Sequence, residues 1–171
     1  MQHIAFIGLG SNLEDPPSQL QLAFAAIGRL PGTQLLAKSS LYRGAPLGYP
    51  DQPDFVNAVA KIATDLSPRE LLQALLQIER DQGRERTFRN APRILDLDVL
   101  MYDDLQLHEH GLTIPHPQMH LRAFVLMPLL EIEPDAAIPG ISMAADAMQQ
   151  CVKQRLERIA RAAGYWGPDA V

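Results

Sequence analysis

The ten residues Arg93-Ile-Leu-Asp-Leu-Asp-Val-Leu-Met-Tyr102, RILDLDVLMY, read as a β-strand with two different faces. Side chains alternate along a strand, so Leu95, Leu97, Val99 and Met101 share one face. Asp96 and Asp98 share the other, about 7 Å apart by backbone rise. The apolar side is the one expected to pack on helices. The aspartates then lie on the open face of a sheet, flanked by Ile94 and Leu100. Carboxylates are rarely buried without a partner because the charge is costly to desolvate, so something cationic should meet them.

The segments on either side supply the rest of the sheet. HIAFIGLG, from His3, is a short apolar run ending in glycines and reads as a buried strand over residues 3–9. Asp15 followed by Pro16 and Pro17 starts a helix in which Leu20, Ala23, Phe24, Ile27 and Leu30 recur at helical spacing. TQLLAKSSLYR and DFVNAVAKIAT read as two strands joined by the Gly- and Pro-rich loop GAPLGYPDQP. In the second of these, Val56, Ala58, Ala60 and Ile62 form the helix-packed side, which leaves Phe55 and Asn57 on the open side with the aspartates. In SPRELLQALLQIERDQG, Ser67 and Glu70 form a capping box around Pro68. Leu72, Leu75, Leu76 and Glu79 are expected along one stripe of that helix, which Gly83 ends. Helices are expected again over about 119–130 and 144–163.

Strand, helix, strand, strand, helix, strand is the order of a ferredoxin-like α+β sandwich. The expected fold is an antiparallel sheet with helices on one face and extra C-terminal helices, in a single domain over residues 1–171. That topology serves many unrelated activities, so function must come from the residues it carries.

With 171 residues, 47% of them hydrophobic, the chain can fill one ordinary core. Fifteen basic against twenty acidic residues, a formal charge of −5, argue against a general nucleic-acid binder. One third of the positive charge nevertheless falls on Arg80, Arg84, Arg86, Arg89 and Arg93. The single cysteine, Cys151, excludes an internal disulfide and suits a reducing compartment. The N-terminus lacks the pattern of a signal peptide, and no stretch is apolar for the ~18 residues of a membrane helix. A soluble, cytoplasmic, monomeric protein is expected, with neither nucleic acid nor membrane as partner.

Two hard carboxylates suit Mg²⁺, which keeps its waters and takes further ligands from phosphate oxygens. Arginine forks match phosphate equally well. Acid pair and arginine loop together suggest a metal-bound polyphosphate. The bland alternative is that Asp96 and Asp98 simply pair with the arginines, and a lone D-x-D does not separate the two.

The motifs GLGSNL, SSLYRGAPLG, DQPDFVNAV, IERDQGRER, APRILDLDVLMY and IPHPQMHLRAFVLMPLLEIEPD follow one another over about three quarters of the chain. In this order they resemble 6-hydroxymethyl-7,8-dihydropterin pyrophosphokinase, a folate-pathway family that moves a pyrophosphate from ATP to a pterin alcohol. The resemblance implies that Asp96 and Asp98 hold two Mg²⁺ ions on the ATP phosphates. It implies catalytic roles for Arg84 and Arg93 on the moving pyrophosphoryl group, with Arg84 on a mobile loop. Glu79, Arg84, Arg86, Arg93, Val99, Thr113, His116 and Arg122 would bind the nucleotide. Gly44, Ala45, Leu47, Phe55, Asn57 and Phe124 would form the pterin pocket, the ring lying between Phe55 and Phe124 with Asn57 at its polar edge. Such chemistry needs positioning and positive charge more than a covalent nucleophile. GLGSNL lacks the lysine and spacing of a phosphate-cradling loop, and its glycines are read as a tight strand exit.

The chain departs from the family pattern in four places. Gly44-Ala45 stands where many members have Thr-Pro, and Phe55 where tyrosine is frequent. Asn90-Ala91 replaces a common Trp-Gly pair, and Pro117 replaces a frequent tyrosine. None touches the aspartates. His108, His110 and His120 match no metal-ligand spacing and read as surface residues of a polar loop. Two rival functions draw on the same residues. A haloacid-dehalogenase-type D-x-D phosphatase would open a parallel sheet with the first aspartate as nucleophile, whereas here the motif comes mid-chain. A non-catalytic ferredoxin-like ligand-binding module would not need paired acids beside an arginine loop.

Overall fold

The structure is a computed structural model and describes residues 2–12, 15–44, 55–83 and 95–159. The expectations for Ala45, Leu47, Arg84, Arg86, Arg89 and Arg93 lie outside those residues.

The central sheet is antiparallel. Strand β1 (His3–Ser11) lies between β4 (Phe55–Thr64) and β5 (Leu95–Tyr102). The stretch expected as one strand from Thr33 is broken in two. β2 (Thr33–Lys38) pairs with the C-terminal half of β4, and β3 (Tyr42–Gly44) with its N-terminal end. The break is held by Glu131, whose carboxylate accepts from the Ser40 N–H at 2.9 Å, the Ser40 hydroxyl at 2.7 Å and the Tyr42 hydroxyl at 2.9 Å. With β2 and β3 counted as one interrupted strand, this is the ferredoxin-like order.

Helices α1 (Pro16–Gly28) and α2 (Pro68–Gly83) cover one face. Ile7, Leu9, Phe24, Ile27, Ala58, Ile62, Leu71, Leu75, Leu97 and Val99 form the core between them and the sheet. The capping box of α2 is present: the Ser67 N–H donates to Glu70 Oε1 at 2.9 Å and the Glu70 N–H to Ser67 Oγ at 3.2 Å. The buried stripe of α2 runs Leu71, Leu75, Ile78, while Leu76, expected on it, is exposed. The 3.6-residue period places Leu76 a full step round the helix from Leu75.

The opposite face is partly covered by α3 (Ala123–Ile132) and α4 (Ala144–Gln149), packed on Phe6, Val59, Leu100 and Met101. Met101 was expected on the α1/α2 side. A register shift between Phe6 and Ile7 leaves Leu100 unpaired beyond Val99, so the alternation of β5 slips by one residue. Met101 therefore joins the α3 side and Tyr102 the α1/α2 core.

The helix expected over about 119–130 is interrupted. A short 3₁₀ turn, Met119–Leu121, ends at Arg122, whose extended backbone (φ −125°, ψ 112°) precedes α3. The helix expected over about 144–163 stops at Gln149. The chain turns, then forms β10 (Glu157–Arg158) on the edge of β3. Hairpins β6 (Leu107–Glu109)–β7 (Leu112–Ile114) and β8 (Ala137–Ile138)–β9 (Ser142–Met143) complete the chain. His108 and His110, expected in a polar loop, are exposed on the strand and turn of the first hairpin. No helix among the described residues is long and apolar enough to cross a membrane.

Candidate active site

Where α3 and α4 leave the sheet uncovered there is a cleft of about 570 Å³. Its floor is set by strand register. Asn57 of β4, Gly10 of β1 and Asp96 of β5 form one cross-strand row, and Val59, Gly8 and Asp98 the next. Residues directly opposite one another share a face, so the amide and both carboxylates open into the same space. Two strand spacings, about 10 Å, separate Asn57 from Asp96.

Between them β1 itself contributes only glycines, Gly10 and Gly8. A Cβ on Gly10 would sit 2.7 Å from Asn57 Oδ1, and one on Gly8 3.2 Å from the Leu100 side chain. The glycines thus lie within the strand, not at a tight exit from it, and by lacking a Cβ they let the Asn57 amide and the Leu100 side chain lie across β1. That role was hidden in the sequence because it depends on which residues β1 faces. An alanine at position 10 must turn the Asn57 amide aside. If that amide reads a ligand's polar edge, Gly10→Ala should weaken pterin binding roughly tenfold and leave ATP binding within about twofold. Titration of each ligand separately tests this, and equal losses for both would place the role of Gly10 in the fold.

Gly44 and its cross-strand partner Phe55 line the cleft with Asn57, as do Arg122 and Phe124 at the start of α3. The Arg122 guanidinium lies 5.4 Å from the centre of the Phe124 ring, within cation–π range. Leu156 packs close to Gly44, 3.0 Å from where a Cβ would stand. His116 is set beside the carboxylates by its own backbone N–H, which donates to the Leu100 carbonyl at 2.9 Å. Its Nδ1 accepts the Gln118 N–H at 3.1 Å, so in the neutral ring the proton is on Nε2. Burial lowers its pKa, opposed by Asp98 and reinforced by Arg122, and the ring stays a neutral donor.

Asp96 is raised by burial first and then by the Asp98 charge, with Arg122 pulling it down. Among the described residues no ion pair involves Asp96 or Asp98. Nor do those residues contain a cluster of three or more groups able to enclose a metal. Two hard oxygen donors on one face, each in the other's field, fit a Mg²⁺-type ion that completes its shell with water and phosphate.

Glu79 stands below the edge strand, and the Leu97 N–H donates to its Oε2 at 2.6 Å. Its carboxyl is pushed up from 4.5 to about 7, chiefly by burial; Asp96 and Asp98 add to this, against the Leu97 N–H and Arg80. A raised carboxyl pKa means that the folded chain holds this proton more tightly than the unfolded one. The resulting stability is full below the ordinary value and is lost as pH rises through about 7. Glu79→Gln should therefore raise the melting temperature of the ligand-free protein at pH 8 and leave it nearly unchanged at pH 5. Screening at this half-buried site limits the gain to about 1 kcal/mol, roughly 2–4 °C. Equal shifts at both pH values in a melting experiment would contradict the assignment.

Three described residues expected to bind the nucleotide do not line the cleft: Glu79, which sits on α2 against the β5 backbone, Val99 and Thr113. The Val99 side chain is buried in the α1/α2 core, on the other side of the sheet from the aspartates. Thr113 is half-buried in the β6–β7 hairpin opposite His108. Conversely, Lys153, Gln154, Arg155 and Leu156 line the cleft although the sequence reading assigned them no site.

Comparison with known proteins places the chain in a family. A model of the family described as 7,8-dihydro-6-hydroxymethylpterin-pyrophosphokinase (HPPK) matches residues 6–134. The 2-amino-4-hydroxy-6-hydroxymethyldihydropteridine pyrophosphokinase of Haemophilus influenzae is 46% identical over 155 residues, covering 91% of this chain and 97% of that protein. The protein of the same name from Pseudomonas aeruginosa is 45% identical over 154 residues, covering 90% and 95%. In fold, the chain is similar to a Plasmodium falciparum HPPK-DHPS structure with pterin and p-hydrobenzoate, at a TM-score of 0.72 and 13% identity. That match covers 94% of this chain but 48% of the longer one, and it carries the fold alone. Given the span of the family match and identities near one half over almost the full length of two relatives, the chain belongs to the 7,8-dihydro-6-hydroxymethylpterin-pyrophosphokinase (HPPK) family.

Proposed function

We propose that Asp96 and Asp98 hold Mg²⁺ against the phosphates of ATP while Phe55, Asn57 and Phe124 hold the pterin across β1. The reaction is that of the family: pyrophosphate passes from ATP to the hydroxymethyl group of a dihydropterin, a step in folate biosynthesis. The observation that carries the site reading is the Asn57–Gly10–Asp96 row, which puts a polar reader and a carboxylate pair on one sheet face, two strands apart.

A flat pterin has apolar faces and a donor–acceptor edge, so it needs rings to stack on and few fixed polar groups. Asn57 is 7% exposed and offers an amide for that edge. With the ring so held, the hydroxymethyl arm points across β1 toward the aspartates. Its oxygen then bonds to the β-phosphorus as the bond from that phosphorus to the α–β bridging oxygen breaks. The electron pair leaves with AMP and the hydroxyl proton is released. His116 Nε2 and the Arg122 guanidinium donate to phosphate oxygens, and Arg84 and Arg93 add positive charge as the group moves. Mg²⁺, when bound, supplies charge neutralisation on the polyphosphate. Two ions fit the reading if each aspartate contributes to both.

The test is equilibrium binding of a non-hydrolysable ATP analogue with and without Mg²⁺, in the wild type and in Asp96→Asn. Binding to the wild type should tighten at least about tenfold with Mg²⁺, and the variant should lose that gain. Equal Mg²⁺ dependence in both proteins would contradict the metal assignment.

A further inference from the structure

Arg122 occupies an awkward position. It is the single extended residue between a 3₁₀ turn and α3, and it stands at the N-cap of α3 without a side-chain cap of its own. Its N–H donates weakly to the Met119 carbonyl at 3.4 Å, and its carbonyl accepts from the Val125 and Leu126 N–H groups at 3.0 Å. Gln154 adds a grip from a distant part of the chain. Its Oε1 accepts the Ala123 N–H at 2.9 Å, and its Nε2 donates to the Leu121 carbonyl, also at 2.9 Å. Those two groups belong to the peptide units immediately before and after the Arg122 Cα, so one side chain grips both. The first bond also satisfies the leading N–H of α3, which the helix cannot pair for itself.

Gln154 is itself held. Its backbone N–H donates to the Cys151 carbonyl at 2.9 Å, and Cys151 is buried. On the other side, β10 pairs with β3, and the Ile159 N–H donates to the Leu41 carbonyl at 2.9 Å. The clamp therefore hangs between two anchors. It lies well beyond residue 134, where the family match ends.

We propose that Gln154 is the positioning residue for Arg122, fixing the backbone from which the guanidinium reaches the phosphates between Phe124 and the aspartates. This rests on the reading of Arg122 as a phosphate-binding residue. Gln154 does not need to touch substrate to act, since both of its bonds go to the backbone that carries the arginine.

The test is a double-mutant cycle on the full chain, reading kcat/KM for ATP in the wild type, Gln154→Met, Arg122→Ala and the double variant. Methionine keeps the length of the side chain and removes both hydrogen bonds. Gln154→Met alone should lose roughly tenfold, the net worth of two such bonds. In the Arg122→Ala background the same change should cost less than about twofold, because there is no guanidinium left to place. A merely structural role would cost the same factor in both backgrounds, and that additivity would overturn the proposal, as would an unchanged Gln154→Met. An unchanged Arg122→Ala would overturn both this inference and the phosphate-binding reading beneath it. Gln154 is exposed, so the melting temperature should hold; if the methionine variant fails to fold, Gln154→Leu carries the same cycle.

Discussion

Asp98→Asn should abolish pyrophosphoryl transfer, by at least about a thousandfold, and make the ligand-free protein more stable. Both effects have one cause. In the absence of a cation the carboxylates of Asp96 and Asp98 stand on the same sheet face, with Glu79 under the same edge, and the raised Asp96 and Glu79 carboxyls register their mutual repulsion and burial. Asparagine keeps the shape of the side chain and removes one of the charges. The fold then gains stability, by roughly 2–4 °C for each ~1 kcal/mol relieved, while the proposed donor set for Mg²⁺ is broken. A variant that loses activity and melts lower would show that Asp98 serves the fold. One that retains normal turnover would show that the metal is held elsewhere.

The second large effect is expected at Phe124. Its ring lines the cleft, carries the Arg122 guanidinium at 5.4 Å, and is only partly packed into the α3 core. On the proposed reading, Phe124→Ala removes a stacking face for the pterin and a platform for the arginine. Stacking of a flat heteroaromatic ring on such a side chain contributes about 2 kcal/mol, so pterin affinity should fall roughly 30-fold. ATP affinity should fall less, since Arg122 keeps its backbone anchors. Phe124→Leu fills the same apolar volume without the ring and separates packing from stacking: it should restore the melting temperature but not pterin affinity. Fluorescence titration with the pterin and calorimetry with the nucleotide give the two numbers. Equal losses for both ligands, or full recovery with leucine, would contradict the stacking role.

The sandwich was legible because its signals are local. The alternation in RILDLDVLMY and DFVNAVAKIAT, and the capping box at Ser67, are properties of short windows, and strand order followed from the sequence of elements. The placement of Asp96, Asp98, Phe55 and Asn57 on one face followed from the same alternation. What failed depended on contacts made elsewhere. Met101 changed face because a bulge against Phe6 and Ile7 slipped the register, which no period within β5 announces. The glycines of GLGSNL could be read as a floor only once β1 was known to lie between Asn57 and Asp96. The C-terminal segment has the composition of a helix, yet pairing of Glu157 and Arg158 with β3 overrides that preference. Its return to the sheet edge brings Gln154 and Leu156 to the cleft, a long-range consequence invisible in the segment itself.

The central claim, that this cleft joins a pterin to ATP at the β-phosphorus, is tested most directly by resolving the products of one reaction. The protein is incubated with ATP, Mg²⁺ and 6-hydroxymethyl-7,8-dihydropterin, and AMP is separated from ADP and free phosphate. AMP should form in step with the pterin diphosphate, and only when pterin and Mg²⁺ are both present. ADP or inorganic phosphate released without the pterin would contradict the account and make the cleft that of a kinase or phosphatase.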